Sequence, residues 1–187
     1  MDELIYGVWK GRAYDNRRTI DGKAPEGLPL SEFLAFNSGN PVAGFAGPQG
    51  FLMFDNRVTL ADVLLSYYKR VRELACGRCT PCRAGGVMIV EALEAACEGR
   101  GSEVDWERLR DIALQMKETS LCGIGLTTPE PILGALEHFP ELLVNAPVMP
   151  ATQRDFISVA TAPCIEACPA KVNVPRYIDY ILSLIHI

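Results

Sequence analysis

The chain has 187 residues, of which 49% are hydrophobic and 22% charged, so it can form one domain or two small ones. No run of 18 uncharged apolar residues occurs, and residues 1–5 lack the basic and apolar regions of a secretion signal. We therefore expect neither a membrane span nor secretion. The formal net charge of −5 comes without a basic stripe that could bind phosphate groups, which argues against nucleic-acid partners.

The N-terminal segment, residues 1–58, has the weakest pattern. It is rich in glycine, proline and asparagine, which are typical of turns. Its glycines do not keep the spacing of a nucleotide-binding loop. The apolar run Phe51–Phe54 predicts one short strand. We therefore expect an irregular segment that contains a single short strand.

Residues 59–143 show helical periodicity. Thr59 and Asp62 predict the capped start of a first helix, which carries one apolar stripe. A second helix is predicted from about Gly86 to Glu98, a third after Ser102 with Asp105 near its start, and a fourth from Thr128. The stripe of the first helix consists of Leu60, Val63, Leu64, Tyr67, Val71 and Leu74. The fold class is thus mainly α, with a small four-helix bundle.

Four cysteines are spaced for a metal centre. Cys76, Cys79 and Cys82 follow the first helix at two-residue spacing, and Cys122 is a remote fourth cysteine after the third helix. This pattern is typical of a [4Fe–4S] cluster. A structural zinc site, which more often uses two separated Cys-x2-Cys pairs, is the alternative. Cys97 falls on the apolar face of the second helix and is predicted to be a core residue.

The last part of the chain changes character. Residues 144–162 lack periodicity and contain prolines, which predicts a linker. Residues 163–187 contain Cys164 and Cys168, which Pro169 follows. This pattern suggests the start of a second iron–sulfur domain, and a buried pair of cysteines on one helix is the alternative. Because the sequence ends at Ile187 within an apolar helical run, we expect this helical domain to be truncated. We also expect it to make few contacts with the first domain.

The motif Cys76-Gly-Arg-Cys-Thr-Pro-Cys-Arg83, with Ser120-Leu-Cys-Gly123, resembles the C-terminal [4Fe–4S] domain of the flavin- and NADH-binding subunit of respiratory complex I. The resemblance extends over roughly residues 45–143. It implies a small helical domain whose cluster passes on electrons from a flavin. The family's flavin domain does not precede it here, so its NADH site is not carried over.

A second resemblance begins at Cys164-x3-Cys-Pro and continues through Val172-Asn-Val-Pro-Arg-Tyr-Ile178. These residues are similar to the N-terminal iron–sulfur domain of glutamate synthase small subunits and dihydropyrimidine dehydrogenase. That family implies a second [4Fe–4S] cluster in the full-length chain, followed by sites for FAD and NAD(P)H. The earlier cysteine pair that the family often has is missing from residues 146–163.

In this order the two resemblances are similar to β subunits of soluble NADPH-dependent oxidoreductases. They imply an electron-transfer segment that relays single electrons between a flavin and a partner subunit of the formate dehydrogenase or iron(III) reductase type. The alternative function is that of a zinc-stabilised helical scaffold without redox activity. No residue here indicates a complete catalytic site. Seven clustered cysteines favour a reducing compartment, and we expect a cytoplasmic protein.

Overall fold

The computed structural model describes residues 4–17, 42–149, 156–160, 163–170 and 172–183. Within these residues the fold is mostly helical, as predicted, and a small sheet precedes the helices. Part of the predicted irregular segment, residues 18–41, lies outside the described residues. The end of the predicted truncated helix, residues 184–187, lies outside them too.

The sheet has five short strands within the described part of the chain, in the spatial order β2-β1-β4-β3-β5. All neighbouring strands are antiparallel except β3 and β5, which are parallel. The strands are β1 (Tyr6–Trp9), β2 (Arg12–Asp15), β3 (Gly44–Gly47), β4 (Gly50–Met53) and β5 (Phe156–Ser158). The prediction of an irregular segment with one short strand is therefore wrong for the described residues between 4 and 58.

The missed strands have a physical explanation in their length and burial. Every residue of β3 and β4 is buried, so neither strand shows the alternation that identifies a half-buried strand. Their glycines resemble loop residues but allow close packing. A Cβ on Gly44 would lie 2.5 Å from a methyl group of Val63, and one on Gly50 would lie 1.9 Å from the carbonyl oxygen of Val8. Gly50 also has a φ of 138°, which side chains disfavour.

The helices occupy most of residues 60–144 and return after β5. They are α1 (Leu60–Leu74), α2 (Thr80–Cys97), α3 (Trp106–Thr119), α4 (Gly123–Thr127), α5 (Glu130–His138), α6 (Pro140–Val144), α7 (Pro163–Glu166) and α8 (Val174–Ser183), with a 3-10 turn at Gly101–Glu103. None of the helices in the described part of the chain has the length and apolar character needed to cross a bilayer.

The helix starts agree well with the capping residues in the sequence. Asp62 N donates to Thr59 Oγ1 at 3.1 Å, and Thr59 N donates to Asp62 Oδ2 at 3.1 Å, so the predicted capping box of α1 is confirmed. Asp105 caps α3 by accepting from Arg108 N. However, α2 begins at Thr80, six residues before the predicted start at Gly86. The turn that carries Cys82 is consequently helical.

Helix α1 packs against the sheet on one side and against α2 on another. It is therefore buried over more than its predicted stripe, and Ala61, Asp62 and Tyr68 are buried as well. The hydroxyl of Tyr68 donates to the carbonyl oxygen of Thr128 at 2.6 Å. This bond joins α1 to the segment between α4 and α5.

The predicted linker, residues 144–162, contains the short strand β5 in its described part. Val159 N donates to the Ala46 carbonyl oxygen at 2.9 Å, and Ser158 Oγ donates to Ser66 Oγ at 3.0 Å. Ile165 packs against the main hydrophobic core. Helix α8 also contacts α1, so the segment from residue 163 onward touches the preceding domain at a few places.

Candidate metal centre

A pocket of about 380 Å³ lies where the cysteine-bearing segments meet. Five cysteines line it: Cys76, Cys79, Cys82, Cys122 and Cys164. The first three are partly buried, whereas Cys122 and Cys164 are exposed. The structure thus brings the four cysteines with iron–sulfur spacing to one pocket, and it adds a fifth from the C-terminal segment.

The first three cysteines are held by the junction of α1 and α2. Helix α1 ends at Leu74, and the chain then turns through Gly77, whose φ is 73°. Cys79 is the N-cap of α2, and its carbonyl oxygen accepts from the backbone N of Arg83 at 2.9 Å. Arg83 Nη1 also donates to the carbonyl oxygen of Gly77 at 3.3 Å. Arg83 therefore holds the turn between Cys76 and Cys79 against the start of α2.

The fourth cysteine comes from the end of α3. Cys122 is the N-cap of the short helix α4, and its carbonyl oxygen accepts from Leu126 N at 3.1 Å. Gly125 lets this helix approach the other cysteines closely. A Cβ on Gly125 would lie 2.1 Å from Ser120 Oγ and 3.5 Å from Cys82 Cβ. A larger residue at this position would clash with the Ser120 side chain.

Burial and mutual charge repulsion disfavour the ionised form of several cysteines in this pocket when no metal is bound. Burial, together with charge repulsion from the neighbouring Cys122, Cys79 and Cys76, raises the pKa of Cys82 to about 11. A bound metal would reverse this effect, because it supplies positive charge to coordinated thiolates. The donor set, four thiols around one pocket, is that of a cubane iron–sulfur cluster. The residues present therefore fit such a group.

No group of three or more Cys, His, Asp or Glu side chains within the described ranges is close enough to hold one metal ion. Thiolates on a single zinc ion, at about 2.3 Å each, lie roughly 4 Å apart. In a cubane each cysteine binds a different iron, so the sulfur atoms lie farther apart.

Cys97 lies at the other end of α2, away from this pocket. It packs against the main core, as the sequence predicted. Burial, together with the charge of Asp62 and a hydrogen bond to its carboxylate, raises the pKa of Cys97 to about 12. A neutral thiol that donates to a capping carboxylate has a structural role.

Cys164 and Ser120 line this pocket, although neither was predicted to belong to it. Cys164 was assigned to a separate second site, and the strand β5 that places it here was not foreseen. Ser120 was noted only as part of a motif. Its side chain is buried with 8% of its surface exposed, and it lines the pocket beside the cysteines. The spacing Ser-x-Cys before the remote cysteine was the one available signal.

Comparison with known proteins indicates which kind of metal site this pocket resembles. Residues 62–146 match the family model described as the NADH-ubiquinone oxidoreductase-F iron-sulfur binding region. Over these residues the chain is similar to that iron–sulfur binding region. The first predicted resemblance is confirmed, and a [4Fe–4S] cluster is the cofactor that the family indicates. The zinc alternative is not favoured.

Two β subunits of oxidoreductases are similar to this chain well beyond the iron–sulfur binding region. The β subunit of NADPH-Fe(3+) oxidoreductase from Geobacter sulfurreducens is 29% identical over 185 residues, which cover 97% of this chain and 27% of the relative. The β subunit of NADP(+)-dependent formate dehydrogenase from Moorella thermoacetica is 28% identical, over 97% of this chain and 30% of the relative.

In Aquifex aeolicus, the F subunit of NADH-quinone oxidoreductase is 31% identical over 98 residues, which cover 52% of this chain and 23% of the relative. The chain thus spans less than a third of the length of each of these three relatives. The first two are β subunits of the kinds that the order of the two cysteine motifs resembles, so that prediction is confirmed as well.

Proposed function

We propose that this chain is an electron-transfer segment of a flavin-dependent NAD(P)H oxidoreductase and that Cys76, Cys79, Cys82 and Cys122 bind its [4Fe–4S] cluster. The observation that supports this most is the pocket, in which all four cysteines meet although Cys122 is 40 residues beyond Cys82. The family match over residues 62–146 supports the cofactor. The helices of residues 59–143 form the bundle that carries it.

Such a cluster, when bound, accepts and gives up single electrons, whereas a flavin takes two electrons from a nicotinamide as a hydride. The chain's own residues hold and partly enclose the site. Cys76, Cys79 and Cys82 are partly buried, which limits water at that side of the pocket. We place the FAD and NAD(P)H sites outside these 187 residues, and we propose no complete catalytic site within them.

The exposed side of the pocket is where we place electron exchange with a partner. Cys122 is exposed, and the neighbouring Leu121 has 71% of its surface exposed. An exposed apolar side chain next to a ligand favours contact with another protein surface. We propose a partner subunit of the formate dehydrogenase-like or iron(III) reductase type, in line with the names of the two β-subunit relatives.

Cys164 and Cys168 belong, in this proposal, to a second iron–sulfur site. Cys164 lines the first pocket, so a metal bound to it would lie near the first cluster. Short separation is what a relay between two clusters requires. The seven cysteines are odd in number and clustered, which favours metal ligation over disulfides and is typical of a reducing compartment, and we therefore place the protein in the cytoplasm.

The test is anaerobic reconstitution of Cys122→Ala next to the matched control Cys97→Ala. We expect the native protein and the Cys97→Ala variant to be brown and to bind iron and sulfide in equal amounts. Cys122→Ala should lose most of the cluster, because one iron loses its thiolate. Bound zinc in a colourless native protein would contradict the proposal, and so would loss of the cluster in the Cys97→Ala variant alone.

A further inference from the structure

Ser120 has a buried hydroxyl without a hydrogen-bond partner among the described residues. Its side chain has only 8% of its surface exposed. A buried hydroxyl is normally hydrogen-bonded, because it loses its bonds to water when it is buried. An unpaired one therefore suggests a partner that the polypeptide itself does not supply.

The position of Ser120 indicates where that partner lies. The residue is the C-cap of α3, and its backbone N donates to the Met116 carbonyl oxygen at 3.2 Å, so its backbone is fixed. It lines the cysteine pocket and precedes Cys122 by two residues. The free hydroxyl is thus held at the wall of the proposed cluster site.

Packing keeps the hydroxyl at this wall. Gly125 faces Ser120 so closely that a Cβ on Gly125 would lie 2.1 Å from Ser120 Oγ and 2.2 Å from Ser120 Cβ. The backbone of α4 therefore closes one side of the serine side chain. The other residues that line the pocket are mainly apolar residues, such as Leu121 and Ile124, and the cysteines, together with Arg78, whose side chain can only donate. Among these neighbours only sulfur atoms could accept a hydrogen bond through a side chain.

The geometry points to Ser120 Oγ as a hydrogen-bond donor to a sulfur atom of the cluster, which tunes the reduction potential of the site. This rests on the proposed function, because it requires a cluster in the pocket. Hydrogen bonds to the sulfurs are among the factors that set the potential of iron–sulfur clusters. Reduction adds negative charge to the cluster, so a donor stabilises the reduced form more. Ser120 is accordingly a tuning residue, and the cluster does not depend on it for binding.

The test compares Ser120→Ala with the matched control Thr119→Val. Ser120→Ala removes one oxygen and keeps the Cβ that packs on Gly125. Thr119 is the exposed neighbour, whose hydroxyl donates to the Gln115 carbonyl oxygen at 2.6 Å within its own helix. Redox titration followed by electron paramagnetic resonance gives the midpoint potential of each protein, and iron analysis gives the cluster content.

We expect both variants to keep native iron content. Ser120→Ala should have a more negative potential, with roughly a tenfold lower ratio of reduced to oxidised cluster at a fixed ambient potential, which is about 59 mV for a one-electron couple. Thr119→Val should match the native protein. Equal potentials for Ser120→Ala and the native protein would overturn the inference and leave the proposed function standing.

A measurement on the native protein makes the test independent of any variant. Resonance Raman bands of the iron–sulfur bonds should shift on exchange into D₂O if a hydroxyl donates to a sulfur, and part of that shift should be lost in Ser120→Ala. An identical deuterium shift in both proteins would contradict the inference. Absence of any iron–sulfur bands in the native protein would instead contradict the proposed function.

Discussion

Adjacent tyrosines on α1 provide a test of the packing that joins the two cysteine-bearing segments. Tyr67 and Tyr68 are both fully buried, and their rings meet edge to face with centroids 5.2 Å apart. The two tyrosines differ in the hydrogen bonding of their hydroxyl groups. The Tyr68 hydroxyl donates to the Thr128 carbonyl oxygen at 2.6 Å and accepts from Ile132 N at 3.3 Å. The Tyr67 hydroxyl has no partner among the described residues.

Tyr68→Phe should therefore destabilise the fold, whereas Tyr67→Phe should not. Removal of the Tyr68 hydroxyl leaves two buried backbone groups without their partner, and Ile132 lies in the first turn of α5, where N–H groups lack an acceptor within the helix. The expected loss in the free energy of unfolding is about 1–3 kcal/mol. Tyr67→Phe removes an unpaired buried hydroxyl, so its free energy of unfolding should equal or exceed that of the native protein.

Thermal unfolding of the native protein and both variants, prepared anaerobically to the same iron content, measures this difference. For a chain of this size, 1 kcal/mol corresponds to a change in Tm of roughly 2–4 °C. Each variant keeps its aromatic ring, so lost packing cannot account for a difference between them. Equal loss of stability in the two variants would refute the hydrogen-bond assignment, and so would an unchanged Tm in Tyr68→Phe.

Two further predictions concern cysteines outside the proposed ligand set. Cys97→Ala should lower the free energy of unfolding by about 1 kcal/mol, since it removes a small buried side chain and its bond to Asp62; chemical denaturation measures this, and an unchanged denaturation midpoint would contradict the structural role. Cys164→Ser should leave the first cluster intact, and both this variant and the native 187-residue chain should bind about four irons per chain; a native iron content near eight would show that the second site is already complete in these residues.

The helical part of the fold was readable from the sequence because its signals are local. Thr59 and Asp62 specify a helix start through side chains three residues apart, and the structure has that capping box. The sheet has no such local signal. Its strands have at most four residues each, and their glycines are selected by contacts with distant residues, such as that of Gly44 with Val63.

Packing partners that the sequence did not predict also explain why more of α1 is buried than its predicted stripe. A helix that packs against one neighbour needs only one apolar stripe, and the residues of the predicted stripe of α1 are indeed buried. Because α1 is covered by several neighbours, Tyr68 is buried outside that stripe, with its hydroxyl bonded to the segment between α4 and α5. The first three cysteines were different, since their two-residue spacing is itself a local pattern. The roles of Ser120 and Cys164 depend on tertiary contacts and could not be read from spacing.

The parallel pairing of β3 with β5 gives the N-terminal strands a role in positioning the second cysteine motif. Parallel neighbours need a long crossover connection, and here the helical domain from α1 to α6 lies within that connection. Ala46 pairs with Ser158, and its carbonyl oxygen accepts from Val159 N, five residues before Cys164. The sheet thereby fixes the chain just ahead of the second cysteine motif and directs Cys164 to the pocket of the first. The distance between the two proposed iron–sulfur sites is thus set by the strand pairing as well as by the cysteine motifs themselves.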